Sequence, residues 1–102
     1  MSFRVRISPE AERQVRELEA WWAANRPAAR TTFREAFSAV VGHISRMPGI
    51  GRPCDDIQLS GVRRLLIEGT PYAVFYSVDR EATEILIAAV WSRARGSSPP
   101  VP

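Results

Sequence analysis

The sequence contains one cysteine, one histidine and no lysine among its 102 residues. A single cysteine, Cys54, excludes a disulfide within the chain and a cysteine-based zinc site, and one histidine is too few for a His/Cys metal cluster. The acidic residues are spread mainly over predicted helix surfaces, so the pattern does not indicate a carboxylate metal site. We therefore predict neither a metal site nor another cofactor.

Long apolar runs are also lacking. No stretch approaches the roughly 18 apolar residues of a membrane span, and the N-terminus has no apolar core of the kind found in secretory signals. We expect a cytoplasmic protein without membrane contacts. The length favours one domain, for which we predict the bounds 1–95. Residues 96–102, which are glycine, serine, proline and valine, are predicted to form a flexible tail.

All 14 basic residues are arginine, and the net charge is +3. The planar guanidinium group can bind two oxygens of a phosphate or carboxylate at once. A GC-rich genome would produce the same arginine usage without any function. The charge therefore permits a nucleic acid or an acidic protein as partner but does not require one.

The first part of the chain predicts a strand followed by two helices. Apolar and charged residues alternate over Phe3–Ile7, as in a half-buried strand. Ser8 and Pro9 then form a helix start, and apolar residues at helical spacing continue to about Asn25. A second amphipathic helix is predicted from about Pro27 to Arg46, so the two form an antiparallel hairpin.

The connection after the hairpin is predicted to be a loop over residues 49–60. Met47-Pro48-Gly49 ends the second helix. Arg52, next to a proline, is expected to anchor the loop through backbone carbonyls or through Asp55 or Asp56, with contact to a ligand as the alternative.

Three strands follow in a meander, at Val62–Ile67, Tyr72–Val78 and Ile85–Trp91. Their short connections require antiparallel pairing. The third strand is apolar on both faces, so we place it inside the sheet. Strict alternation assigns four of its residues to one face, namely Ile85, Ile87, Ala89 and Trp91. The predicted fold is α+β, with the helices on one sheet face and the other face exposed or covered by a partner.

Four segments in this order resemble the RelE/ParE superfamily of toxins from type II toxin–antitoxin modules, and more closely its ParE-like branch. They are FRVRISPEAERQVRELEAWW, MPGIGRP, GVRRLLIEGTPYAVFYSVD and EILIAAVWSRAR. The resemblance covers roughly residues 3–95. It implies a small bacterial toxin, of the kind associated with plasmid stabilisation, that a cognate antitoxin neutralises by direct binding in a hetero-oligomer.

The expected binding surface, for antitoxin or target, combines arginines with aromatic residues. Acidic antitoxin residues are expected to meet the arginines. The assigned residues are Arg63, Arg64, Tyr76, Trp91, Arg93 and Arg95.

Two activities occur in the superfamily. RelE-like members cleave messenger RNA on the ribosome without a metal, and they use basic residues on the sheet and a tyrosine or histidine after the last strand. Here Arg64 and Arg93 could serve such a reaction, but no tyrosine or histidine follows Trp91. ParE-like members instead poison DNA gyrase and need no catalytic residue. We therefore predict a gyrase inhibitor without catalytic residues; a ribosome-dependent ribonuclease and a degenerate homologue that only binds antitoxin are the alternatives.

Overall fold

The computed structural model describes residues 2–55 and 59–92 and contains one five-stranded sheet and two α-helices. Arg93, Arg95, Asp56 and the predicted tail at 96–102 lie outside the described residues. In chain order the elements are β1 (Arg4–Ile7), α1 (Pro9–Asn25), α2 (Thr32–Arg46), β2 (Arg52–Pro53), β3 (Val62–Leu66), β4 (Tyr72–Asp79) and β5 (Glu84–Ser92).

The strands lie in the order β1-β5-β4-β3-β2. The meander of β3, β4 and β5 is antiparallel, as predicted, and β5 lies inside the sheet between β1 and β4. β1 pairs with β5 in parallel. A parallel pair needs a long connection across the sheet, and the helix hairpin begins that connection. The predicted α+β fold with the helices packed against the sheet is confirmed.

The main core lies between the helices and one face of the sheet. Phe33 and Ile44 of α2 pack there with Tyr76 of β4 and with Ile85 and Ile87 of β5. These side chains are all fully buried. We call this side of the sheet the inner face.

Beyond the end of β1, side chains from the start of α1 form hydrogen bonds with the backbone of β5. Ser8 caps the helix, as predicted, by accepting a hydrogen bond from the Ala11 N–H, and its hydroxyl donates to the Ala88 carbonyl. One turn further, the Gln14 side-chain oxygen accepts a 2.7 Å hydrogen bond from the Val90 N–H. These contacts fix α1 against the sheet and satisfy backbone groups that β1 does not reach.

The second helix begins later than predicted. Pro27–Ala29 forms a short 3-10 helix, in which the Ala29 N–H donates to the Arg26 carbonyl, and α2 itself begins at Thr32. The proline removes a donor and fixes the turn, but the next residues pack too little to continue an α-helix.

The segment predicted as a loop over residues 49–60 contains structure that the sequence reading missed. Pro48–Ile50 forms a 3-10 turn, and β2 pairs with β3 at the edge of the sheet. A two-residue strand is too short to produce an alternating pattern, so periodicity could not reveal it.

A β-bulge changes the side-chain alternation in β5. Ile87 and Ala89 pair with the adjacent β4 residues Tyr76 and Phe75, so Ala88 between them is the extra residue of the bulge. The prediction that Ala89 and Trp91 share a face with the two isoleucines of β5 is therefore wrong. After the bulge, Val90 takes the inner face.

A second, smaller core covers part of the opposite side of the sheet, which we call the outer face. Its buried residues are Leu59, Ala73, Phe75 and Ala89, with Cys54, Val62 and Trp91 packed at its margin. The chain thus covers part of this face itself, through residues that precede β3. In the described part of the chain, no helix is long and apolar enough to cross a membrane.

Candidate functional site

The outer face carries the exposed arginines of the strands. Because directly opposed residues of paired strands share a face, the strand register assigns each side chain to one side. Arg64 of β3 lies opposite Phe75, whose ring belongs to the outer core. Arg4 and Arg6 of β1 occupy the far edge of the same face.

Arg52 and Arg64 lie directly opposite one another on β2 and β3. Both are exposed, and within residues 2–55 and 59–92 no carboxylate lies within ion-pair distance of either guanidinium. Two like charges at opposed positions destabilise a sheet slightly. An anion that binds between them would remove this repulsion and accept hydrogen bonds from both groups.

The arginines at the other edge differ from this pair. Glu84 accepts a 3.1 Å hydrogen bond from Arg6 and lies 3.6 Å from an Nη atom of Arg4. One carboxylate thus compensates part of the charge of these two arginines within the chain. Arg52 and Arg64 form the uncompensated basic site of this face among the described residues.

Arg63 was predicted to lie on the binding surface with Arg64, but its guanidinium points the other way. Its Nη1 donates to the Gly51 carbonyl at 2.6 Å and, more weakly, to the Gly49 carbonyl at 3.4 Å. The loop anchor expected at Arg52 is therefore Arg63. Alternation along β3 causes this difference, since adjacent residues face opposite sides.

Tyr76 was also assigned to the binding surface, and the structure places it in the core with 0% exposure. Its hydroxyl donates to the Pro48 carbonyl and accepts from the Gly51 N–H, both at 2.8 Å. Burial raises the pKa of the phenol, while the Gly51 hydrogen bond and the nearby Arg63 charge lower it. Tyr76 thus holds the chain that leads into β2, and its side chain is buried in the core.

Of the remaining predicted surface residues, Trp91 is the one that the described part of the chain includes. Trp91 is half-buried on β5 at the margin of the outer core. Arg93 and Arg95 lie outside the described residues, so their placement relative to Arg64 stays a prediction.

The described histidine and tyrosine side chains do not lie on the outer face with the arginine pair. His43 lies on the surface of α2, and the Tyr72 ring packs edge-on against Phe33 on the inner face. In the part of the chain that the structure describes, no group of three or more His, Cys, Asp or Glu residues could hold a metal ion.

A cavity opens between α1 and the ends of β4 and β5, where Leu18, Tyr72 and Val90 form its apolar wall. Arg13 reaches over it and forms ion pairs with Glu10 and Glu17. The charge of Arg13 is therefore compensated within α1, in contrast to the charges of Arg52 and Arg64.

The sequence reading missed Arg52 as a partner of Arg64. The signal was available in part, because Arg52 stands next to a proline and is expected from the sequence to anchor the loop. Only the register of β2 shows that this arginine stands opposite Arg64.

Comparison with known proteins identifies the class to which this fold and surface belong. Residues 5–96 match the family model described as the ParE toxin of the type II toxin–antitoxin system parDE. The chain therefore belongs to the ParE toxin family and is a toxin of the RelE/ParE superfamily. Among curated proteins, none matches the sequence significantly.

Solved structures agree with this fold. A chain of the chromosomal ParDE system from P. aeruginosa superposes with a TM-score of 0.74 at 18% identity, over 89% of this chain and 96% of that one. A chain of the RelBE2 toxin–antitoxin complex from Mycobacterium tuberculosis gives 0.66 at 25% identity, over 93% and 95%. A double arginine-to-alanine mutant of E. coli toxin RelE in the free state gives 0.67 at 15% identity, over 92% and 86%.

Proposed function

We propose that this toxin inhibits DNA gyrase and that a cognate antitoxin neutralises it by direct binding in the bacterial cytoplasm. The observation that carries the proposal is the composition of the outer face. It has an uncompensated arginine pair, and none of the described strand residues that lie on this face is a tyrosine or a histidine. Such a surface is suited to binding rather than to proton transfer.

Among the described strand residues, the two carboxylates on this face are already engaged. Glu84 interacts with Arg4 and Arg6. Asp79 accepts a 3.0 Å hydrogen bond from the Ala82 N–H and so stabilises the turn between β4 and β5. Neither is free to act as a general base beside Arg64, which supports a mechanism that requires only binding.

The antitoxin part of the proposal is supported by the exposed positive charge and by the relatives. One similar structure is titled a ParDE toxin–antitoxin system and another a RelBE2 toxin–antitoxin complex. Acidic antitoxin side chains would compensate Arg52 and Arg64, which have no carboxylate partner among the described residues.

A gyrase supercoiling assay tests the target. Purified toxin at micromolar concentration is expected to inhibit supercoiling and to leave cleaved plasmid after gyrase is denatured. Addition of the antitoxin encoded next to the toxin should restore supercoiling. Normal supercoiling without cleaved DNA at saturating toxin would contradict gyrase as the target.

Ribosome-dependent cleavage of messenger RNA is the second candidate, favoured by the Arg52–Arg64 pair, which would also accommodate a phosphate. In that case Arg64 and Arg93 would act on the scissile phosphate. Primer extension on ribosome-bound messenger RNA distinguishes the two candidates. A chain that binds antitoxin but is inactive in both assays would be a degenerate homologue.

A further inference from the structure

Residues 47–51 connect α2 to β2 and display two large apolar side chains. Met47 is 62% exposed and Ile50 is 40% exposed. They stand three residues apart in one 3-10 turn, in which the Ile50 N–H donates to the Met47 carbonyl at 2.9 Å. This hydrogen bond closes the turn, so the two exposed side chains stand at its two ends, and we treat them together as one apolar patch. We call it the Met47/Ile50 patch.

The backbone beneath this patch is held by side chains from the sheet. Tyr76 binds the Pro48 carbonyl and the Gly51 N–H, and Arg63 binds two further carbonyls. A Cβ atom on Gly51 would lie only 2.5 Å from the Tyr76 hydroxyl, so the backbone approaches the ring directly. Connecting segments on the surface are usually mobile. This one is pre-organised, and pre-organisation lowers the entropic cost of binding.

Positive charge borders the patch. The Arg63 guanidinium lies at the Gly49 carbonyl, and an Nη atom of Arg80 lies 3.9 Å from the position that a Gly49 Cβ would take. Within the described residues, neither arginine has a carboxylate within ion-pair distance. Methionine and arginine are enriched at protein interfaces. The complementary partner is a segment with apolar side chains flanked by aspartate or glutamate.

We propose that the Met47/Ile50 patch docks a short acidic, amphipathic segment of the antitoxin, an inference that rests on the proposed function. The patch lies at the end of the hairpin where α2 finishes, next to the Arg63 guanidinium at the Gly49 carbonyl. The antitoxin segment would place its apolar side chains on Met47 and Ile50 and its carboxylates near Arg80 and Arg63.

Calorimetric titration of the full-length toxin with the adjacent antitoxin tests this docking. The double variant Met47→Ser/Ile50→Ser is expected to bind about tenfold or more weakly, since a central apolar anchor is lost. Trp21→Ser is the matched control, because Trp21 is 46% exposed near the opposite end of the hairpin. It should bind within about twofold of the wild type. Circular dichroism and thermal melting confirm that each variant is folded.

Arg80→Glu tests the charged rim independently, and it carries the test if the double variant fails to fold. It is expected to weaken binding several-fold and to reduce the salt dependence of the dissociation constant. Wild-type affinity in both the double variant and Arg80→Glu would overturn the docking proposal and leave the proposed function intact.

Two further outcomes are decisive. If wild-type toxin itself does not bind the antitoxin, the proposed neutralisation fails together with the docking. If sedimentation shows that the wild type dimerises and the double variant does not, while both bind antitoxin equally, the patch serves a second copy and the proposal is wrong.

Discussion

The two faces of the sheet use their side chains for different purposes. On the inner face the largest buried side chains, including Tyr76, pack against the helices and hold the chain before β2. On the outer face a small apolar core lies next to an arginine pair that has no carboxylate partner among the described residues. The inner face therefore stabilises the fold, while the outer face keeps charge available for a partner.

The same difference between the faces separates two adjacent residues, Arg63 and Arg64. Arg63 donates to the Gly51 carbonyl, whereas Arg64 is exposed opposite Arg52. Residue type alone does not separate a structural arginine from a binding arginine; strand alternation does.

The largest expected effect comes from disturbing the contact under residues 47–51. In Gly51→Ala the new Cβ would lie 2.5 Å from the Tyr76 hydroxyl and 2.9 Å from the Arg64 carbonyl. Backbone cannot move aside easily, so we expect a loss of about 2–3 kcal/mol in the free energy of unfolding. Urea denaturation measures this free energy. A Gly51→Ala variant as stable as the wild type would show that the loop is not packed as described.

Tyr76→Phe is expected to cost about 1–3 kcal/mol, because it leaves the Gly51 N–H and Pro48 carbonyl without their buried partner. A pH series adds a second readout. Burial raises the phenol pKa above its ordinary value of 10.0, so the folded state holds this proton more tightly than the unfolded state. Its contribution is complete below pH 10 and is lost as the pH rises through the folded pKa.

The wild type should therefore lose more stability between pH 9 and about 11 than Tyr76→Phe, in which this group is absent. Tyr72 is present in both proteins, so it does not affect the comparison. Equal alkaline slopes for the two proteins would contradict the buried position of the Tyr76 hydroxyl.

Alanine substitution of the neighbouring arginines should separate the two roles. Arg63→Ala removes a charged hydrogen bond to the Gly51 carbonyl and is expected to destabilise the fold by about 1 kcal/mol, reduced by partial exposure. Arg64→Ala should change stability by no more than about 0.5 kcal/mol. Thermal melts of both variants test this prediction. A larger loss of stability in Arg64→Ala than in Arg63→Ala would mean that the two side chains are assigned to the wrong faces.

One substitution is expected to raise stability. Gly42 lies within α2, and a Cβ there would meet only the flexible end of Arg46, at 3.4 Å. Gly42→Ala should therefore raise the free energy of unfolding by about 0.5–1 kcal/mol through helix propensity. Together with Gly51→Ala, it provides a matched pair in which the same added methyl group has opposite effects.

Much of the fold could be predicted from the sequence, because its signals are local. Ser8 and Pro9 mark the start of α1, and the β-branched and aromatic strands of the meander carry clear turn residues between them. The parallel pairing of β1 depends on a contact between distant segments, which periodicity does not encode. The Ala88 bulge also leaves no local signal, yet it reverses the faces of all later residues in β5.

The candidate site was less predictable, because it also depends on contacts between segments that are distant in the sequence. Arg64 was assigned to the binding surface and is exposed, whereas Tyr76 was assigned to the same surface although its hydroxyl binds the Pro48 carbonyl in the core. An aromatic residue in a strand gives no indication of whether its polar end has a buried partner. That partner came from a loop segment whose 3-10 turn could not be read from the sequence.

The division between the faces is tested most directly by growth arrest on induced expression of Arg64→Ala, with the variant's expression level and thermal melt measured in parallel. Because growth arrest does not depend on which target is correct, the result bears on the outer face itself. We expect a wild-type melt together with toxicity lowered by about tenfold or more, as for a lost interface arginine. Full growth arrest by a stably folded Arg64→Ala protein would contradict the assignment of function to this face.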